Sequence, residues 1–308
     1  MTRPESGNGM ITGTVLEREG GGYRVSTDQG EVSAVLRGKA KRGGPKVIVG
    51  DVVELEPDPT GDLFAISAVA ERTSLLARRV PEGRGHRPVV ANVDQVVVMT
   101  STADPPPIPQ LIDRLLVIAE ANQISPILAV NKIDLAAGHD LVARYRNVGY
   151  AVFPTSAEEG TGIAELKQQL VGRTSVVTGP SGVGKSSLLN AIEPGLKLRV
   201  GEVSARVRRG RHTTVSAVMI PMKESGFVVD TPGFSEVGLW GLPLVELAGA
   251  FPELVPLAGQ CRYADCLHHK EPDCVVRQAV EDQTIDQGRY QSYLTLLEEL
   301  QSAPKAWE

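Results

Sequence analysis

The chain has 308 residues, enough for two or three domains with separate cores, and 42% of them are apolar and 22% charged, as in ordinary globular proteins. No stretch approaches the ~20 consecutive apolar residues of a membrane-spanning helix, and MTRPESGNGM at the start lacks the apolar run of a signal peptide, so the expected compartment is the cytoplasm. A formal net charge of −5 does not by itself point to nucleic acid.

Residues 10–70 read as five short strands: ITGTVLERE, GYRVSTD, EVSAVLRG, DVVELEP and DLFAISAVA. Each is rich in Val, Ile or Leu with partial alternation, and Gly, Asp or Pro separates them. Five such strands predict a small all-β barrel of the OB type, with another small barrel or a sandwich as the alternative. Within this unit, Arg37, Lys39, Lys41, Arg42 and Lys46 form a basic patch with no acid between Ala34 and Val47. Residues 71–90 lack a period and are rich in Arg, Gly and Pro. They read as a mobile basic linker able to order on RNA.

From about 91 to 235 apolar strand-like runs alternate with helical stretches: DQVVVMT, PQLIDRLLVIAEAN, SPILAVN, a helix near 139–147, AVFPTS, AELKQQL, TSVVTGP, KSSLLNAI and FVVDTPG. That alternation predicts βα units around a mainly parallel sheet. A third basic stretch, Lys197 to Arg211, carries six cations against Glu202. Three basic patches on an acidic average favour a polyanionic partner. From about 236 onward the chain reads as helical and acidic, ending in the amphipathic QGRYQSYLTLLEELQ. The expected division is therefore 1–72 (barrel, RNA-binding), 73–90 (basic linker), 91–235 (α/β domain) and 236–308 (mainly helical).

Gly179-Pro180-Ser181-Gly182-Val183-Gly184-Lys185-Ser186 follows an apolar run and opens the helical run Ser186-Ser187-Leu188-Leu189. This is a phosphate-binding loop in its required context. Glycines let backbone N–H groups converge on phosphates at a helix N-terminus. Lys185 is expected between the β- and γ-phosphates, and Ser186 on Mg²⁺. Asp230-Thr231-Pro232-Gly233 follows FVV, so Asp230 is expected to hold Mg²⁺ through water, and Gly233 to present its N–H to the γ-phosphate.

Asn131-Lys132-Ile133-Asp134 ends the run ILAV. Asp134 can accept two hydrogen bonds from guanine N1–H and the exocyclic amine, which adenine would leave unmade. Asn131 can reach N7, and the Lys132 stem can cover the base. Thr155-Ser156-Ala157 follows the next strand, where a backbone N–H at Ser156 or Ala157 can meet guanine O6. Together these motifs imply GTP and GDP as ligands, with Mg²⁺. Their order is permuted: NKID and TSA precede GPSGVGKS, and DTPG comes last. Joining old termini and opening new ones elsewhere preserves the same sheet. Between the phosphate loop and DTPG, LKLRVGEVSARVRRGRHTTV is expected to be a switch, with Thr213 or Thr214 completing Mg²⁺ coordination. Phe234 stands where many GTPases carry a water-orienting Gln. Slow intrinsic hydrolysis is therefore expected. His212 is the local candidate for the missing group, or else a bystander or RNA contact.

All three cysteines, Cys261, Cys266 and Cys274, fall in one short stretch with His268 among them. Three thiolates and an imidazole make a closed tetrahedral site for one structural Zn²⁺, with His269 as the alternative nitrogen ligand.

These residues resemble the ribosome small-subunit-dependent GTPase A family over nearly the whole chain. The resemblance lies in VGDVVEL at 49–55, RTSLLAR, VANVDQVVVM, NKID, GPSGVGKSSLLN, GRHTT, DTPGF, CRYADCLHHKEPDC and RYQSYLTLLEEL. It implies an N-terminal OB domain, a permuted GTPase domain and a C-terminal zinc domain. It also implies a role in late maturation of the small (30S) ribosomal subunit, contact with its rRNA, and hydrolysis stimulated by that subunit. A catalytic role for His212 and zinc ligation by Cys261, Cys266, His268 and Cys274 are implied as well. A monomer is the default.

Overall fold

The computed structural model describes residues 11–37, 46–58, 63–79, 86–196, 217–230, 239 and 242–302. Five strands come first: β1 (Ile11–Glu19), β2 (Gly22–Thr27), β3 (Gly30–Leu36), β4 (Val52–Pro57) and β5 (Phe64–Val69). They close into a barrel of order β1-β2-β3-β5-β4, with β1 also pairing β4 and β3 running parallel to β5. This is the OB connectivity expected from the sequence. Its core is Val15, Tyr23, Val25, Ala34, Val47, Val53, Leu55 and Ile66.

A bulge explains how β1 serves two cores. Val15 pairs with Val25 and Glu17 with Arg24, so Leu16 is the extra residue. Val15 points into the barrel. Leu16, equally buried, packs with Val49, Leu76 and Val90 in the core of the following domain.

The expected aperiodic linker over 73–90 is not what forms. Its described residues include an antiparallel pair, β6 (Leu75–Arg79) and β7 (His86–Ala91). Leu76 and Val90 pair and are fully buried, so two apolar anchors outweigh the Arg, Gly and Pro around them. Pro88 is tolerated because a two-stranded sheet has only edges. The hairpin is also fastened to the barrel. Asp51, fully buried, accepts from Arg72 Nε at 2.7 Å and Nη2 at 2.9 Å, and Asn92 Nδ2 donates to the Gly50 carbonyl at 2.8 Å.

A six-stranded sheet follows, of order β10-β9-β8-β11-β13-β12. Its strands are β8 (Gln95–Ser101), β9 (Ser125–Asn131), β10 (Ala151–Pro154), β11 (Thr174–Thr178), β12 (Val218–Pro221) and β13 (Phe227–Asp230). All neighbours run parallel except β12 with β13. The β12 strand went unread in the sequence. Every residue of β8 is buried, as a parallel strand covered on both faces requires.

The pleat divides the core in two. Val96, Val98, Leu128, Val130, Val176 and Val229 face α1 (Pro109–Ala121), α2 (His139–Asn147) and the C-terminal region. Val97, Met99, Ile127, Ala129, Val177 and Val228 face α3 (Ile163–Leu170) and α4 (Lys185–Ile192). The C-terminal region carries short 3-10 turns at Leu244–Ala250 and Val255–Leu257, then α5 (Val275–Glu281) and α6 (Gln287–Ser302). Phe251, Tyr293 and Leu297 join the same core as α1, so the helical region is packed onto the sheet domain.

Candidate nucleotide site and metal centre

The parallel strands end together, and their carboxyl ends carry the motifs. This is where ligands bind in open α/β sheets. The phosphate loop leaves β11 and enters α4. Gly184 has φ +92°, and a Cβ there would lie 2.5 Å from Asn131 Nδ2. Gly179 has φ +148°, and its Cβ would lie 2.3 Å from the Met99 carbonyl oxygen. Only glycine meets both demands. Lys185 Nζ folds back on the loop, donating to the Gly179 and Pro180 carbonyls at 2.8 Å each. Burial pushes the Lys185 ammonium below its ordinary pKa, while the Asp230 carboxylate at the end of β13 works the other way. An anion arriving at the loop would draw this charge from the carbonyls. Ser186 is buried in the first turn of α4, Ser187 is half-buried, and Ser181 and Gly182 are exposed.

Asn131 ties three loops together. Its Nδ2 donates to the Val183 carbonyl at 2.9 Å. Its Oδ1 accepts from the Ala157 N–H and from Thr155 Oγ1, both at 3.3 Å. The NKID segment, the phosphate loop and TSA are thereby locked in register by one side chain that is 1% exposed. The motif alone indicates only a base contact for Asn131. Asp134 is exposed, and Ser156 is buried, its hydroxyl accepting from the Glu159 N–H at 3.0 Å. His212, Thr213, Thr214 and Gly233 lie outside the described residues.

The second cluster lies in the C-terminal region. The ligand atoms of Cys261, Cys266, His268 and Cys274 all fall within 4.8 Å of one another and can hold a metal ion. His268 Nδ1 is 3.5 Å from Cys261 Sγ and 3.4 Å from Cys274 Sγ, and those two sulfurs are 3.8 Å apart. Burial lowers the His268 pKa, which favours the neutral imidazole that a ligand must be. His269 is not in the group.

Supports for the cluster come from residues that carry little local signal in the sequence. Glu271 bends back to accept from the N–H groups of Leu267, His269 and Lys270 at 3.0, 2.9 and 3.1 Å. Its burial opposes ionisation, but these bonds and its own N–H outweigh that and hold its pKa at about 2. From α6, Tyr290 and Tyr293 donate to the His268 and Leu267 carbonyls at 2.7 Å each. A Glu three residues past a candidate ligand His was the one available sequence signal.

Comparison with known proteins agrees with this geometry. The family model described as RsgA GTPase matches residues 69–240. The Small ribosomal subunit biogenesis GTPase RsgA of Gemmatimonas aurantiaca is 47% identical over 298 residues, covering 94% of this chain and 97% of that protein. The protein of the same name from Moorella thermoacetica is 44% identical, with the same coverages of 94% and 97%. Among solved structures, YjeQ from Thermotoga maritima superposes with a TM-score of 0.79 at 36% identity, covering 96% of this chain and 99% of that one. YloQ, described as a circularly permuted GTPase, gives 0.78 at 30% identity, covering 99% of each. With NKID at the end of β9, ahead of the GPSGVGKS loop that follows β11, the chain belongs to the RsgA GTPase family and is a GTPase.

Proposed function

We propose that this GTPase acts in late maturation of the small ribosomal subunit, binding its rRNA and hydrolysing GTP faster when bound there. The observation that supports the nucleotide half is the Asn131 strut, which ties the NKID segment to the GPSGVGKS loop and TSA at the carboxyl end of the sheet. In this reading Asp134 accepts from guanine N1–H and the exocyclic amine. The second amide hydrogen of Asn131 is left for N7, and Ser156 and Ala157 offer backbone N–H groups to O6. Gly179 to Ser187 cradle the phosphates, with Lys185 turning from its loop carbonyls to the β- and γ-oxygens. Ser186, Asp230 and one of Thr213 or Thr214 would hold Mg²⁺, which supplies charge neutralisation at the phosphates. The Gly233 N–H reaches the γ-phosphate, and His212 is assigned to the attacking water.

The subunit half rests on the names of relatives up to 47% identical across 94% of the chain, and on basic residues in the barrel and hairpin segments. We assign the units as 1–72 for RNA binding, 73–90 as the basic segment, 91–235 for GTP hydrolysis and 236–308 for metal binding. The metal is zinc. A tetrahedral Zn²⁺ with thiolates and an imidazole sets sulfurs about 3.8 Å apart and sulfur to nitrogen about 3.5 Å, against 3.8, 3.5 and 3.4 Å among Cys261, His268 and Cys274, with Cys266 Sγ within 4.8 Å of the other ligand atoms. With all three cysteines assigned to the metal none is left for a disulfide, which fits the reducing cytoplasm as the working compartment, and the protein is assigned as a monomer.

The test is co-sedimentation with purified ribosomal particles in the presence of a non-hydrolysable GTP analogue. Association with small subunits, lost when GDP replaces the analogue, is expected. Association with large subunits only would overturn the proposal.

A further inference from the structure

The turn after β8 does more than lead into α1. It touches two of the three loops at the nucleotide site. The Thr102 N–H donates to the Asn131 carbonyl at 3.0 Å, and Thr102 Oγ1 donates to the Lys132 carbonyl at 2.5 Å. Lys132 Nζ donates back to the Asp104 carbonyl. The Pro105 ring lies against the phosphate loop, 3.3 Å from where a Cβ on Gly182 would sit. Ser101 Oγ, on a fully buried residue, donates to the Pro105 carbonyl at 2.7 Å and pins the turn from beneath.

Lys132 has φ +63°, a left-handed conformation that non-glycine residues seldom adopt. Such a conformation persists where its surroundings over-determine it. Here the residue is held at both ends, its carbonyl by the Thr102 hydroxyl and its ammonium by the Asp104 carbonyl. Between the two ends the methylenes pass over the phosphate loop. A Cβ on Gly184 would lie 3.9 Å from Lys132 Cε. An untethered lysine would spread over many rotamers. The two tethers hold this one alongside the loop.

We infer that the 101–105 turn is a further element of the nucleotide site, with Thr102 as a positioning residue that holds the Lys132 stem against one face of the base. The inference rests on the guanine site proposed above. It predicts a distinctive signature, because guanine and hypoxanthine offer the same ring face. They differ in the exocyclic amine that Asp134 reads. Loss of the Thr102 hydroxyl should therefore weaken GDP and IDP by the same factor. Loss of the Asp134 carboxylate should weaken GDP more.

The experiment is equilibrium binding of GDP and IDP to the full-length protein and to Thr102→Val, Thr102→Ser and Asp134→Ala, with melting of each nucleotide-free variant recorded alongside. Thr102→Val is expected to weaken both nucleotides about tenfold at an unchanged GDP/IDP ratio, with Thr102→Ser close to wild type. Wild-type affinity in Thr102→Val would overturn the inference, as would a loss that Thr102→Ser fails to restore. If Asp134→Ala leaves the GDP/IDP ratio unchanged, the guanine site itself is misassigned and this inference falls with it.

Discussion

Arg289 of α6 and Asp113 of α1 meet in the interior, Nη1 to Oδ1 at 2.8 Å, although 176 residues separate them and both are 0–1% exposed. Asp113 also accepts from Tyr145 at 2.7 Å and Ser292 at 2.5 Å, and Glu253 takes the other side of the guanidinium at 2.7 and 3.1 Å. Arg289 lies over the Phe251 ring at 4.8 Å. One buried cation thus joins α1 and α2 of the sheet domain to the C-terminal region. Removing one partner leaves the others buried and uncompensated. Asp113→Ala is expected to cost about 3–5 kcal/mol, read as a lower thermal midpoint. A wild-type midpoint would show that the network contributes little.

The phosphate loop makes a sharper demand. Gly184→Ala forces a Cβ to 2.5 Å from Asn131 Nδ2 at φ +92°. GTP turnover should fall by more than about tenfold, because displacing Asn131 disturbs three loops at once. Gly249→Ala, where a Cβ meets nothing within 4 Å, should hydrolyse GTP like the wild type.

Much of this was legible in the sequence, for reasons visible in particular residues. KSSLLNAI and SPILAVN match α4 and β9 residue for residue, because burial on a single face or on both leaves a clean pattern. The phosphate loop, NKID and the Cys/His cluster are contiguous, so their chemistry can be read locally. The hairpin at 75–91 was not legible. Its strand character comes from Leu76 and Val90 docking on a core that the local sequence does not contain. The Asn131 strut and the Arg289 cluster are long-range pairings between polar residues, and pattern says nothing about those. Leu16 alternates wrongly within β1 only because a bulge turns it toward a second core.

Asn131 and Asp134 should separate in their effects. Asn131→Ala removes bonds to Val183, Ala157 and Thr155, so guanine and hypoxanthine nucleotides should both weaken by about tenfold or more. Asp134→Asn should shift preference from GDP toward XDP, because it replaces an acceptor pair with a mixed donor and acceptor. Titration of each variant with GDP, IDP and XDP checks both.

The metal centre should bind one ion per chain, lost in Cys261→Ala. Chelation should lower the melting midpoint, because the metal's binding free energy is folding free energy for the loop. Glu271→Ala strands three N–H groups around His268 and should speed metal loss to a chelator, although Glu271 is not a ligand. Metal release at the wild-type rate would remove Glu271 from this role.

On the proposed function, hydrolysis answers to the small ribosomal subunit. GTP turnover by the purified protein should be measured alone, with small subunits, with large subunits and with bare rRNA. A severalfold rise with small subunits and none with large subunits is the predicted result. Slow GTP turnover that ignores every ribosomal particle would contradict it.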